Sequence, residues 1–305
     1  MKTKNYPNYS VLMSVYYKDN SEWLNMSIEC MLNQTVKPSE FVLVEDGSLT
    51  DDLDSVINKY EKKFPRLFKI IKNKNNKGLG LSLQEGITHC SNEWIARMDS
   101  DDYSPCDRIE KQFNILEEYP DLGIIGSNAI EFIDSIDNKV ASVVLPENNE
   151  EIIKYSKRRC PYRHSGIIYR KSEVLAAGNY KDCYCCEDYD LYSRMEMNGT
   201  KGYNIQEFLL YVRVNPDFYE RRGGLKYLKS ILSFKTKLYK NGFFSFKDYI
   251  ISAGAHVVVC LLPNKVRTFV YKRLLRKEWF VWKKFLSSPY IEFQIMVLFY
   301  KDLRL

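Results

Sequence analysis

The sequence predicts an α/β fold built on a mostly parallel sheet flanked by helices, and three observations carry that prediction. Residues 10–17 (SVLMSVYY) and 40–44 (EFVLV) read as short buried strands, each followed by a polar turn and then a helical pattern, which is the rhythm of βαβ units. A third apolar run, at 93–98 (EWIARM), stops abruptly at Asp99-Ser100-Asp101-Asp102. At 305 residues and 45% apolar side chains, the chain can bury a sizeable core in one two-part domain and still carry an extension.

Each element follows from its spacing. Leu24, Ile28, Met31 and Leu32 stand at i, i+4, i+7 and i+8 and make one helix face, with Asp19 and Glu22 as a loose capping pair. Leu53, Val56, Ile57 and Tyr60 repeat the pattern after the second strand. Gly78-Leu79-Gly80 opens a helix over 79–90; it is no dinucleotide fingerprint, because Leu83 stands where a third glycine belongs and the segment follows an Asn/Lys-rich loop. In parallel α/β sheets a ligand sits beyond the carboxyl ends of the strands, and there fall Tyr16, Glu45-Asp46-Gly47-Ser48 and Asp99-Ser100-Asp101-Asp102. Clustered acids repel. They are tolerable around a hard divalent cation shared with a ligand's phosphates, or in a solvated turn where Asp and Ser bond their own backbone.

The stretches MSVYYKDNSEWLNMSIECMLNQTVKPSEFVLVEDGSLTDDL, NKGLGLSLQEGI and WIARMDSDDYSPCDRIEKQ resemble glycosyltransferase family 2, over roughly residues 9–222. The resemblance implies the GT-A fold, with a nucleotide-sugar half at about 1–102, an acceptor half at 103–224 and a helical, basic-aromatic extension at 225–305. It implies transfer of one sugar from a nucleotide diphosphate, with inversion, to a saccharide acceptor in surface-polysaccharide synthesis. The nucleotide sugar would lie against Ser14, Tyr16, Glu45, Asp46, Gly78, Arg97, Asp99, Ser100 and Asp101, where Glu45 replaces the Asp of many relatives. Asp99 and Asp101 would form the Asp-x-Asp motif that holds Mn²⁺ or Mg²⁺.

Downstream, Cys185-Cys186-Glu187-Asp188-Tyr189 resembles the family's Glu-Asp pair, whose Asp is the catalytic base. Inverting displacement needs a carboxylate opposite the leaving diphosphate to take the acceptor hydroxyl's proton. That role falls to Asp188 with Glu187 beside it, although acids in a first helical turn also suit the macrodipole. Asp102, His164, Arg221 and Arg222 are further candidates for acceptor or diphosphate contacts. Arg159 and Arg163 belong to the same loose basic set, and the strand-like run at 165–169 (SGIIY) after His164 resembles the family's acceptor-side strand.

The net charge of +6 is uneven: residues 265–284 hold eight Lys and Arg against Glu278 alone, interleaved with aromatics such as Phe269, Trp279 and Trp282. This pattern fits an anionic membrane surface better than a nucleic-acid groove. The longest apolar stretch, 249–263, falls short of the roughly 20 residues a spanning helix needs, and the amino-terminal residues MKTKNYPNYS lack a signal-peptide core. The expectation is a cytoplasmic protein lying on the inner face of the membrane, with a lipid-linked or oligosaccharide acceptor. Eight irregularly spaced cysteines then read as reduced thiols, and Cys183-x-Cys185-Cys186 lacks the matching pair of a zinc site. Two alternatives are a sugar-phosphate nucleotidyltransferase, which should show a Gly-rich loop after its first strand, and an inactive membrane-surface binding module.

Overall fold

The computed structural model describes residues 4–214, 223–262 and the short strand at 277–278. Arg221 and Arg222, and the basic segment at 265–284 apart from Lys277 and Glu278, lie outside the described residues. β1 (Tyr9–Val15), β2 (Glu40–Glu45), β3 (Phe68–Lys72) and β4 (Trp94–Arg97) pair in parallel in the order β3-β2-β1-β4. All residues of the central β1 are buried, which is why it reads as an unbroken apolar run rather than an alternating one.

The pleat still sorts its side chains. Tyr9, Val11, Met13 and Val15 share one core with Leu24, Ile28 and Met31 of α1 (Ser21–Leu32) and Leu53 and Ile57 of α2 (Asp51–Lys63). Leu12, Val42 and Val44 face the other way, toward Leu83 and Ile87 of α3 (Leu79–His89). α3 lies so close to the sheet that a Cβ on Gly86 would stand 2.4 Å from Leu12, so this position tolerates no side chain.

Beyond β4 the pairing turns antiparallel. β7 (Ile168–Arg170) runs against β4 and β5 (Leu122–Phe132), and β5 pairs with β6 (Lys139–Val143), whose other edge takes β9 (Lys277–Glu278). β8 (Lys201–Arg213) lies parallel to β5 along its length. α4 (Arg108–Glu118), α5 (Asn149–Ser156), α6 (Lys171–Ala176) and α7 (Glu187–Met197) surround this half. α8 (Gly224–Lys240) and α9 (Phe246–Leu261) form a hairpin whose Tyr227, Ile231, Phe234 and Leu238 pack on Cys186 and Tyr189 at the start of α7.

Three local expectations need correction. Asp19 does not cap α1: Asn20 does, accepting hydrogen bonds from the amides of Glu22 and Trp23, the usual work of an Asn at that position. The strand expected at 165–169 begins only at Ile168, because His164–Gly166 makes a single 3₁₀ turn. The thiols are not all reduced: Cys183 and Cys186 form a disulfide, with Cα atoms 5.3 Å apart. The tight turn entering α7 brings them within bridging distance, a closeness that sequence spacing did not disclose.

Candidate active site

The carboxyl ends of β1, β2 and β4 meet at one crevice, and the acids there divide into satisfied and repelling groups. Asp46 is satisfied. Its Oδ1 accepts the Lys77 amide at 2.7 Å and its Oδ2 the Gly78 amide at 3.0 Å, so it clamps the loop that opens α3. Gly47 permits that approach with φ +88, where a Cβ would come 2.8 Å from the Asn76 amide. Glu45 is buried and pairs with Lys72 at 2.9 Å. Ser14 lies buried on β1 opposite Val44, and the amide of half-buried Tyr16 donates to Asp19 at 3.1 Å.

Asp19 is a residue that sequence reasoning missed as part of the site. It accepts a hydrogen bond from Ser100 Oγ at 2.8 Å, which carries it to the end of β4 beside Asp99. Burial raises its carboxyl to about 6, with Asp99 adding repulsion. Asp101 is raised to about 7 by burial and by the charges of Asp99 and Asp19. Asp99 pairs with Arg97 Nη2 at 2.5 Å. Arg97 is fully buried, and its Nε and Nη1 have no hydrogen-bond partner within the protein. Buried donors of that kind are costly when left alone, so this guanidinium is suited to a ligand.

Asp102, expected near acceptor or diphosphate, lies instead in the interior. Its Oδ1 accepts the Arg213 amide at 2.8 Å and its Oδ2 the hydroxyl of Ser165, tying β4, the 3₁₀ turn and β8 together. Arg213, also missed, donates from Nε to the Asp101 carbonyl at 3.0 Å and stacks its guanidinium 4.3 Å from the Trp23 ring centroid. No local motif announces either contact, since both join segments more than a hundred residues apart.

The second acid pair lies near the first. Glu187 opens α7 and packs where Gly80 of α3 leaves room: a Cβ on Gly80 would stand 3.1 Å from Glu187 Cβ. Burial, then repulsion from Asp188 and Asp99, raises the Glu187 carboxyl to about 7, against the opposing pull of Arg97. Asp188 accepts the Tyr189 amide at 2.7 Å and lies 3.7 Å from the Cys160 sulfur. His164 meets the Tyr180 hydroxyl at 2.8 Å; desolvation and the Arg97 charge push its pKa well below 6.5, so it is neutral. Arg163 is taken by buried Glu131 at 2.9 Å, and Arg159 lies against the Tyr155 ring. Glu187 is therefore within electrostatic reach of both Asp99 and the buried Arg97 that pairs with it, which brings the two acid groups to one region of the fold.

The sequence profile of Glycosyl transferase family 2 matches residues 10–177. The chain belongs to glycosyltransferase family 2. This family 2 glycosyltransferase is 32% identical over 271 residues to the UDP-Gal:alpha-D-GlcNAc-diphosphoundecaprenol beta-1,3-galactosyltransferase of Escherichia coli, covering 89% of this chain and 98% of that one. It is 31% identical to the amylovoran biosynthesis glycosyltransferase AmsE of Erwinia amylovora, covering 87% and 98%. In three dimensions it resembles the mannosyltransferase PcManGT from Pyrobaculum calidifontis, solved in complex with GDP-Man and Mn²⁺, with a TM-score of 0.58, 12% identity, and coverage of 86% of this chain and 72% of that one. The glycosyltransferase thus has the GT-A fold, and its relatives act in polysaccharide biosynthesis. Family membership also removes the nucleotidyltransferase reading.

Proposed function

We propose that this glycosyltransferase moves one sugar from a UDP-sugar to a lipid-linked saccharide, with inversion at the anomeric carbon, during synthesis of a surface polysaccharide. The observation that carries the reading is the pair of carboxylate groups, Asp99 with Asp101 and Glu187 with Asp188, at the mouth of a GT-A sheet. The E. coli relative, aligned over nearly its whole length, takes UDP-Gal and a diphosphoundecaprenol-linked GlcNAc.

The donor's nucleotide lies against Ser14, Tyr16, Glu45, Asp46 and Gly78, and its diphosphate approaches Asp99, Ser100 and Asp101. Asp101 at about 7 and Asp19 at about 6 make an oxygen-donor set whose repulsion a hard cation would relieve, so these residues fit Mn²⁺ or Mg²⁺. A cation held here would take one or two carboxylates and complete its shell with phosphate and water; among the described residues no three metal-ligating side chains converge. Asp99 and Asp101 would hold it, and it would supply charge neutralisation for the departing diphosphate.

Asp188 takes the proton of the acceptor hydroxyl as its oxygen attacks the anomeric carbon from the face opposite the leaving group. Glu187, raised to about 7 by burial and its neighbours, can hold a proton near neutrality and orient an acceptor hydroxyl. Arg97 directs its unpartnered N–H groups to the donor. His164, kept neutral, lines the acceptor side with Tyr180. The enzyme works on the cytoplasmic face of the membrane, where the basic segment at 265–284 meets anionic lipid. Among the described residues no helix is long and apolar enough to cross a membrane.

The test is transfer from a panel of nucleotide sugars, with Mn²⁺, to a short-chain lipid-diphosphate saccharide, with the product's anomeric configuration read by NMR. A UDP-sugar that supports transfer with inversion is the expected result. A retained configuration, or no turnover of any nucleotide sugar, overturns the reading.

A further inference from the structure

We propose that the α8–α9 hairpin is a lipid-contacting face that seats the enzyme on an anionic bilayer; the idea rests on the lipid-linked acceptor proposed above and adds which residues touch the lipid. α9 exposes Phe246, Ile250, Val258 and Leu261 at 65%, 52%, 61% and 65%. At 100° per residue these four and Gly254 fall within an arc of about 120°, an apolar stripe whose one charge is Lys247 in the first turn. Over residues 249–262 there is no Asp, Glu, Lys or Arg. A helix facing water alone would place charges on its outer side, and an exposed apolar stripe of this length marks an interaction surface.

The adjoining helix supplies the charge. Lys226, Lys229, Lys237 and Lys240 of α8 are exposed and lie within about 80° of one another around the helix. Over 224–262 there are six lysines against Asp248 alone, and Asp248 is already paired with Arg158 at 2.7 Å. The Tyr239 ring meets Phe246 at 6.1 Å and Tyr249 at 5.2 Å, joining the two helices where the hairpin turns. A lysine stripe beside an apolar stripe, on helices too short to span a bilayer, matches an anionic headgroup layer: the lysines meet phosphate and the apolar side chains enter the interface. The chain that follows continues the same chemistry, with its eight basic residues at 265–284.

The position of the hairpin gives this contact a consequence for catalysis. Ser230 of α8 donates to the Tyr184 carbonyl at 3.1 Å, and Phe234 packs edge-on to Tyr189 at 4.9 Å. Tyr184 and Tyr189 flank Glu187 and Asp188. A bilayer held by the hairpin is therefore one helix away from the residues that receive the acceptor, which places a lipid-linked saccharide at the crevice without a long reach.

The test uses the full chain and two variants at exposed positions, I250D/V258D and K226Q/K229Q/K237Q/K240Q, with folding checked by circular dichroism. Flotation is measured with vesicles of mixed phosphatidylglycerol and phosphatidylcholine and with phosphatidylcholine alone, and transfer is assayed in parallel on a water-soluble short-chain acceptor and on a long-chain one in vesicles. Each lysine near the surface contributes about fivefold in affinity, so the four-lysine variant should bind phosphatidylglycerol vesicles about a hundredfold more weakly or worse, and I250D/V258D, which replaces two apolar contacts with two negative charges, about tenfold more weakly or worse. Transfer to the soluble acceptor should stay within about twofold, because the binding face is outside the crevice. Absence of flotation by the wild type overturns the proposal. So does wild-type flotation by both variants, which would assign the whole contact to residues 263–305. A shift of I250D/V258D from dimer to monomer with unchanged flotation would assign the stripe to a second copy of the chain and also overturn it. Flotation that the variants lose, in an enzyme that transfers to neither acceptor, would sink the proposed function and leave the lipid face standing.

Discussion

The two carboxylate groups of the crevice are alike in charge and unlike in support. Asp99 and Asp101 sit at the end of β4, held from behind by Arg97 and Arg213, on a strand buried along its whole length. Glu187 and Asp188 open α7, directly after a turn that is held by the Cys183–Cys186 disulfide and covered by α8. The difference teaches that the proposed donor end is positioned by the sheet itself, whereas the proposed acceptor end is positioned by elements added after it. Damage to the donor end should therefore abolish chemistry outright, and damage to the acceptor end should grade from severe to mild with distance from the carboxylates.

The largest effect is expected for Asp101→Ala. Transfer should be lost and no longer respond to added Mn²⁺, with the fold intact by circular dichroism, because Asp99 and Asp101 would hold the cation that supplies charge neutralisation for the departing diphosphate. Full activity in this variant, or undiminished wild-type activity after exhaustive chelation, would break the comparison at its donor end.

Asp188→Asn should lower turnover by about 10²-fold or more while donor affinity stays near wild type, the usual scale for removing a general base. Titration calorimetry with UDP and steady-state rates separate the two quantities. A large loss of donor affinity with preserved turnover would instead make Asp188 a binding residue and erase the division between the two ends.

A smaller effect is expected behind the base. Under denaturing, non-reducing conditions the protein should show six reactive thiols, those of Cys30, Cys90, Cys106, Cys160, Cys185 and Cys260, and eight after reduction. Cys183→Ser with Cys186→Ser should lower turnover roughly three- to tenfold through misplacement of the following carboxylates, with the donor KM unchanged. Eight thiols before reduction would remove the staple from the account.

The smallest effect concerns stability. Glu196 on α7 accepts from Ser156 Oγ at 2.7 Å, and burial raises its carboxyl to about 8. Its unfolded value is about 4.3, so the folded state keeps a proton that the unfolded chain releases, and stability falls as pH rises from about 4.5 to about 8. Glu196→Gln should raise Tm by about 2 °C or more at pH 9 and leave it nearly unchanged at about pH 4, below the unfolded value. An equal shift at both pH values would show that lost packing, not charge, sets the difference. Unchanged turnover in this variant would confine the proposed catalytic acids of α7 to its first turn.

Much of this molecule was legible as sequence because much of it is local. The alternation of buried strand and amphipathic helix set β1, α1, β2, α2 and α3 close to their expected bounds, since each depends on spacing within a dozen residues. Asp99, Ser100 and Asp101 were legible for the same reason: a strand that ends in acids can be read one residue after another. What escaped depends on approach between distant segments. Asp19 looked like a cap until Ser100, 81 positions away, took its side chain. Arg213 reaches the Asp101–Asp102 turn from the far end of β8, across 111 positions. The disulfide needs the turn before α7, and the inward orientation of Asp102 needs Ser165. A sequence lists which groups a chain can ionise or bond, together with the local periodicity that decides helix or strand. Which acid repels, which is satisfied and which is left facing a ligand is decided by burial and by partners that only the closed sheet brings within a few ångströms, where charge and hydrogen-bond energies become large.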